Sequence, residues 1–213
     1  MASSRPGDAI ESEIEIAPRW RIISTPRKER EGEVQLVIDP GPGFGDGLHE
    51  TTQLCLQAIA ALAPRKRDWR MLDFGSGSGI LSIGAAKLGA VVDAVEIDAR
   101  AIEHAERNAR VNGVSERIRH ARTLDDTRGP FELVVANILR TVLLEHAIAL
   151  VSGLADGGTL VLSGLVSTDV APVGVRYAAL LQGQRAEVYE RGDWRALVWR
   201  AALPSAPARS FPV

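Results

Sequence analysis

Residues 71–80 read Met-Leu-Asp-Phe-Gly-Ser-Gly-Ser-Gly-Ile, an apolar strand closing on Asp73 and followed by glycines at 75, 77 and 79. Alternate glycines let the backbone turn sharply and let a ligand approach where a Cβ would collide. The helix-like stretch from Ile80 to Leu88 offers free N–H groups and the positive end of a dipole. Strand, glycine turn and helix together predict the nucleotide-binding corner of a doubly wound α/β sheet. A second apolar strand, Val91 to Val95, closes on Glu96, placed to accept hydrogen bonds from ribose hydroxyls.

Spacing narrows the nucleotide. A dinucleotide fingerprint, G-x-G-x-x-G, would need its third glycine at position 80, which is Ile. The pattern here is Asp73-x-Gly75-x-Gly77-x-Gly79, and with Glu96 it resembles the S-adenosylmethionine (AdoMet) site of class I methyltransferases. On these residues alone, a glycine turn in some other α/β protein or an NAD site stays open.

The elements that must position these groups follow from pattern. Ile14-Glu-Ile16, Trp20 to Ile23 and Val34 to Ile38 alternate as short strands of a small N-terminal lobe. Glycines at 41, 43, 45 and 47 then prevent regular structure until a helix from about Glu50 to Ala63, with apolar residues at helical spacing. Asp98 is placed to cap a helix that Asn112-Gly113 ends. A strand near Ile118, a buried strand Phe131 to Ala136, a helix after Asn137 reaching Ser152 and a strand Thr159 to Ser163 come next. A weak helix spans Thr168 to Gln182, and Arg185 to Glu190 with Trp194 to Ala201 read as a closing hairpin.

At 213 residues the chain can bury one substantial core. A net charge of −2 provides no global attraction to nucleic acid or anionic membrane, so neither is expected as a partner. The basic groups at 65–67 and 70 read as a solvated face or as a binding patch. The single cysteine, Cys55, excludes an internal disulfide and a cysteine-based zinc cage, and its apolar helical setting suggests a small core residue. The four histidines are scattered without metal-ligand spacing, so no metal is expected. With no apolar secretory h-region and no run of membrane-spanning length, the expectation is a cytoplasmic enzyme.

Three linked motifs make the resemblance specific. Asp39-Pro-Gly-x-x-Phe-Gly-x-Gly-x-His-x-Thr-Thr52, Leu72-Asp-Phe-Gly-x-Gly-Ser-Gly-Ile-Leu81 and Val135-Ala-Asn-Ile-Leu139 occur in the order and spacing of the PrmA family. The likeness extends from about Ile16 to Arg200. It implies a mostly parallel seven-stranded sheet of the class I methyltransferase (Rossmann-like) type with the small N-terminal β lobe. Ser, Pro, Ala and Gly mark 1–8 and 204–213 as expected disordered tails, leaving the lobe and glycine-rich segment at 9–48 and the AdoMet-binding domain at 49–203.

PrmA enzymes methylate a large-subunit ribosomal protein on lysine and α-amino nitrogens, using AdoMet. The resemblance therefore implies AdoMet as cofactor and Thr52, Asp73, Gly75, Gly77, Glu96 and Asn137 as its binding residues. Caps of the following helices are the alternative roles for Thr52 and Asn137. His49 is either a proton acceptor or a structural residue of the glycine-rich segment, and no catalytic side chain is assigned. Asp46 stands where the family carries a small hydroxyl residue, facing either the sulfonium or solvent, and Glu96 replaces the usual Asp.

PrmA proteins also carry an N-terminal substrate-recognition domain, which is expected to be missing here because the lobe begins so close to Met1. The implied reaction is methyl transfer to an amine nitrogen of a protein, lysine above all, with a ribosomal protein as one acceptor. Asn137-Ile-Leu lacks the Asn/Asp-Pro-Pro-aromatic motif of enzymes that methylate planar nitrogens, which favours an sp³ amine. A small-molecule methyltransferase and a non-catalytic AdoMet-fold module are the alternatives.

Overall fold

The computed structural model describes residues 13–16, 19–28, 30–39, 41 and 47–200. Both expected tails and Asp46 lie outside the described residues.

Alternating apolar residues produce three short strands first: β1 (Glu13–Ile16), β2 (Trp20–Ile23) and β3 (Val34–Val37). β1 pairs antiparallel with β2, which pairs parallel with β3. Ile16, Trp20, Ile22, Leu36 and Ile38 bury this lobe in the same apolar cluster as Leu56, Ile59 and Ile83. Trp20 completes the join, its indole Nε1 donating to the Leu56 carbonyl at 2.7 Å.

The larger part alternates helices and strands: α1 (Glu50–Leu62), β4 (Arg70–Phe74), α2 (Ile80–Lys87), β5 (Val91–Val95), α3 (Ala99–Val111) and β6 (Ile118–Ala121). It continues with β7 (Phe131–Asn137), α4 (Arg140–Glu145), α5 (Ala147–Ser152), β8 (Leu154–Val166), α6 (Val170–Leu180), β9 (Glu187–Arg191) and β10 (Trp194–Arg200). Strand order is β6-β5-β4-β7-β8-β10-β9, and β10 runs antiparallel to both neighbours. This is the expected seven-stranded, mostly parallel, doubly wound sheet. Helices cover both faces, so the central strands are apolar on each side. Met71, Val92, Leu133 and Val161 face one core cluster, while Leu72, Val134, Leu160 and Leu162 face the other.

Two elements depart from the sequence reading. The helix expected from Asn137 to Ser152 is two short helices meeting at His146, whose ring packs edge-on to Phe74 at a centroid distance of 5.1 Å. The break keeps Leu143, Ala147 and Leu150 all fully buried against the sheet. Strand β8 runs well past the expected Ser163, because β10 pairs with it out to Val166. Ser163 and Gly164 together oppose Ala196, a bulge that bends the strand near the cavity described below.

Candidate functional site

The site is built at the carboxyl ends of β4, β5 and β7, where open α/β sheets place their crevices. After Phe74 the chain enters the glycine turn. Gly75 sits at φ +80°, a left-handed conformation that side chains with a Cβ rarely adopt, and an added Cβ would lie 2.9 Å from Ile138 Cδ1. The turn is pinned to β5: Gly75 and Ser76 both donate their N–H groups to the Val95 carbonyl.

Glu96 takes over beyond β5. Its Oε2 accepts from the Gly77 N–H at 3.0 Å, and its Oε1 accepts from Ile97 and Asp98 at 2.8 and 3.1 Å. One carboxylate thus joins the glycine turn to the start of α3. Gly164 closes the opposite wall at φ +82°; a Cβ there would come within 2.7 Å of the Ile138 carbonyl oxygen. Asn137 and Ile138 can therefore lie flat against β8.

These groups line a cavity of about 430 Å³. Gly75, Gly77, Glu96 and Asn137, four of the expected binding residues, are on its wall. Thr52 and Asp73 are not: both are buried behind it, at 1% and 0% exposure. The Asp73 carboxylate accepts a 2.6 Å hydrogen bond from the Ser82 hydroxyl, so it braces the turn from beneath. Thr52 does not cap α1. That role belongs to His49, whose Nδ1 accepts from the Thr51 N–H at 3.3 Å, while the Thr52 hydroxyl is buried without a hydrogen-bond partner. Asn137 is not a cap either, since Leu139 occupies that position for α4.

The sequence reading missed several wall residues. Asp98 does cap α3, its carboxylate accepting from Arg100 N–H at 2.9 Å, and it also lines the cavity with Ala101. Thr51, Ile138, Leu139, Gly164 and Trp194 complete the wall. Trp194, first residue of β10, meets His49 edge-to-face with ring centroids 4.7 Å apart. The motif spacing carried a signal for Thr51 and Ile138 through their neighbours, but none for Trp194.

Burial shapes the electrostatics beneath the wall. It raises the Asp73 carboxyl from 3.8 to about 6, against the opposing pull of its hydrogen bonds with Ser82. It pushes the Cys55 thiol up to about 12, leaving a protonated, unreactive core residue, as its sequence setting suggests. A larger cavity of about 640 Å³ lies in the N-terminal lobe, where Arg21 pairs with Glu33 and Arg30 with Glu15. Among the described residues no group of His, Cys, Asp and Glu is arranged to hold a metal, and no helix is long and apolar enough to cross a membrane.

The profile of the family Ribosomal protein L11 methyltransferase (PrmA) matches residues 8–202. The chain belongs to the PrmA family. A PrmA relative from Trichlorobacter lovleyi, a ribosomal protein L11 methyltransferase, is 39% identical over 198 residues, covering 90% of this chain and 63% of the relative. Another of the same name, from Nitratiruptor sp., is 36% identical over 188 residues, covering 88% of this chain and 63% of the relative. The chain thus spans 61–63% of the length of the first curated PrmA relatives it matches. The crystal structure of ribosomal protein L11 methylase from Lactobacillus delbrueckii subsp. bulgaricus superposes with a TM-score of 0.77 at 32% identity, covering 88% of this chain and 98% of that one. A precorrin-6y C5,15-methyltransferase from Geobacter metallireducens GS-15 shares the class I methyltransferase fold at 19% identity and a TM-score of 0.61, covering 78% of this chain and 97% of that one.

Proposed function

We propose that this chain is the AdoMet-dependent catalytic unit of a PrmA-type enzyme, methylating an amine nitrogen of a protein, with lysine as the principal acceptor. The observation that carries the reading is the convergence, in one cavity, of the glycine turn and Glu96 with Asn137 and the His49–Trp194 wall. The names of the relatives favour a ribosomal protein as acceptor.

The residues present fit the cofactor. A Cβ at Gly75 would fill the cradle beside Ile138, and Glu96 offers a carboxylate at the end of β5. Gly75, Gly77, Glu96 and Asn137 would hold it, with Thr52 and Asp73 supporting them from behind. AdoMet, when bound, supplies an electrophilic methyl on a positively charged sulfonium.

The protein's own task is alignment, a large contribution that requires no covalent intermediate on a side chain. A lysine acceptor must also arrive neutral. From a reference pKa near 10.4, that costs about 4–5 kcal/mol at pH 7. Ile138, Leu139 and Trp194 form an apolar stretch of the wall, and desolvation beside it, with the adjacent sulfonium charge, would lower the acceptor's pKa. Asn137, at the end of β7, can accept a hydrogen bond from an acceptor amine or donate one to the cofactor.

Incubation with methyl-labelled AdoMet and a cell lysate, followed by separation of protein from small molecules, tests the reading. Label in protein that hydrolyses to methyllysine is the expected result. Label confined to small molecules would reassign the acceptor, and absence of AdoMet binding in calorimetry would leave a non-catalytic module.

A further inference from the structure

One face of α3 grips backbone at two places that sequence separates widely. His104, Asn108 and Asn112, spaced four residues apart, form a line along the helix facing the exit of β3. Asn112 holds Val37 from both sides: its Oδ1 accepts from the Val37 N–H at 3.0 Å and its Nδ2 donates to the Val37 carbonyl at 2.7 Å. His104 Nε2 donates to the Asp39 carbonyl at 2.9 Å, and its ring packs so closely on Gly41 that a Cβ there would lie 2.4 Å away.

Asn108 does something different. Its Oδ1 accepts from the Asp39 N–H at 3.1 Å, while its Nδ2 donates to the Ser78 carbonyl at 2.9 Å. Ser78 belongs to the glycine turn, and Asp39 opens the motif that carries His49 and Thr51 of the cavity wall. Asn108 is 2% exposed, so a missing partner would leave a buried polar group unsatisfied. Glu96 pins the turn at Gly77 from the cavity side; Asn108 pins it at Ser78 from the other.

We infer that Asn108 is a positioning residue of the cofactor cavity, holding the glycine turn in register with the exit of β3. This rests on the AdoMet reading for its consequence in binding, though not for its consequence in the backbone. Asn112, the C-cap of the same helix, bonds Val37 and the Asn108 backbone carbonyl but neither the turn nor the Asn108 side chain, and serves as the control.

The discriminating variant is Asn108→Asp, which keeps an acceptor for the Asp39 N–H but sets a carboxylate oxygen against the Ser78 carbonyl. The ligand-free protein is compared with Asn108→Asp and Asn112→Ala by amide hydrogen exchange, thermal denaturation and AdoMet calorimetry. For Asn108→Asp, exchange across residues 75–79 is expected to rise, and the AdoMet Kd to weaken, by about tenfold, the scale of one lost hydrogen bond to a charged or buried partner. Asn112→Ala should lower the melting temperature yet leave both readouts within about twofold, because its bond to Asn108 is to the backbone carbonyl and not to the amide that holds Ser78. The inference is overturned if Asn108→Asp exchanges like wild type at the turn, or if Asn112→Ala loosens the turn equally. Wild-type protein that binds no AdoMet ends the cofactor reading instead, and the exchange comparison still decides the positioning role.

Discussion

Asp93 within β5 and Glu96 just beyond it are three residues apart, and the fold treats them in opposite ways. Asp93 is 2% exposed and saturated: Arg119 reaches it through Nε at 3.1 Å and Nη2 at 2.7 Å, the Arg128 N–H at 2.6 Å, and Arg70 at 3.7 Å. Glu96 is held by three backbone N–H groups and, among the described residues, by no cation, while it faces a cavity. A carboxylate neutralised by arginines has spent its charge on tying β5 to β6, to the start of β4 and to the backbone at Arg128. One held by amides alone keeps its negative charge and acceptor capacity for whatever enters. Partner chemistry, more than burial, separates the structural acid from the acid that faces the cavity.

Four experiments would break or sharpen that contrast. The largest effect is expected from Gly75→Val, because the new side chain meets Ile138 at a backbone conformation that disfavours it; AdoMet binding should vanish in calorimetry, and a normal dissociation constant would misplace the site. Arg119→Ala should cost about 2–3 kcal/mol of stability by removing two of Asp93's charged hydrogen bonds while the Arg128 N–H and Arg70 remain, and the AdoMet dissociation constant should stay unchanged. An equal loss of cofactor affinity would erase the distinction between the two acids.

Asp73 supplies the third test, through pH. Its folded-state pKa of about 6 exceeds the ordinary 3.8, with burial the main cause, so the folded protein binds this proton more tightly than the unfolded chain. The stabilisation is complete below about pH 4 and is lost as pH rises through 6, by about 3 kcal/mol in all. Asp73→Asn, which can still accept from Ser82, should flatten that part of the stability–pH curve in denaturant titrations; a curve identical to wild type would contradict the assignment. Glu96→Ala is the smallest, weakening AdoMet binding by about 1–3 kcal/mol. An unchanged dissociation constant would remove Glu96 from the ribose-binding role.

Much of this was legible in the chain itself. Apolar alternation and flanking acids placed β4, β5 and their glycine turn, and Asp98 read correctly as a cap, because each depends on neighbours a few residues apart. The same local logic failed at His146, where packing on Phe74 divides an unbroken apolar run into two helices. It also failed at Thr52, whose pattern suggested a cap: His49 takes that role, Thr52 sits behind the wall and its neighbour Thr51 faces the cavity.

What the amino-acid order determined on its own was the type of corner, strand to glycine turn to helix, and the acid beyond the next strand. Local backbone geometry is written in nearest-neighbour sterics and hydrogen bonding, so spacing is enough to read it. Only the tertiary structure brought Trp194 against His49 and set Asn108 between Ser78 and Asp39. Those meetings depend on strand order and on how α3 lies across the lobe. They join residues 145 positions apart in the first case and 69 and 30 in the second, distances over which no local pattern carries information.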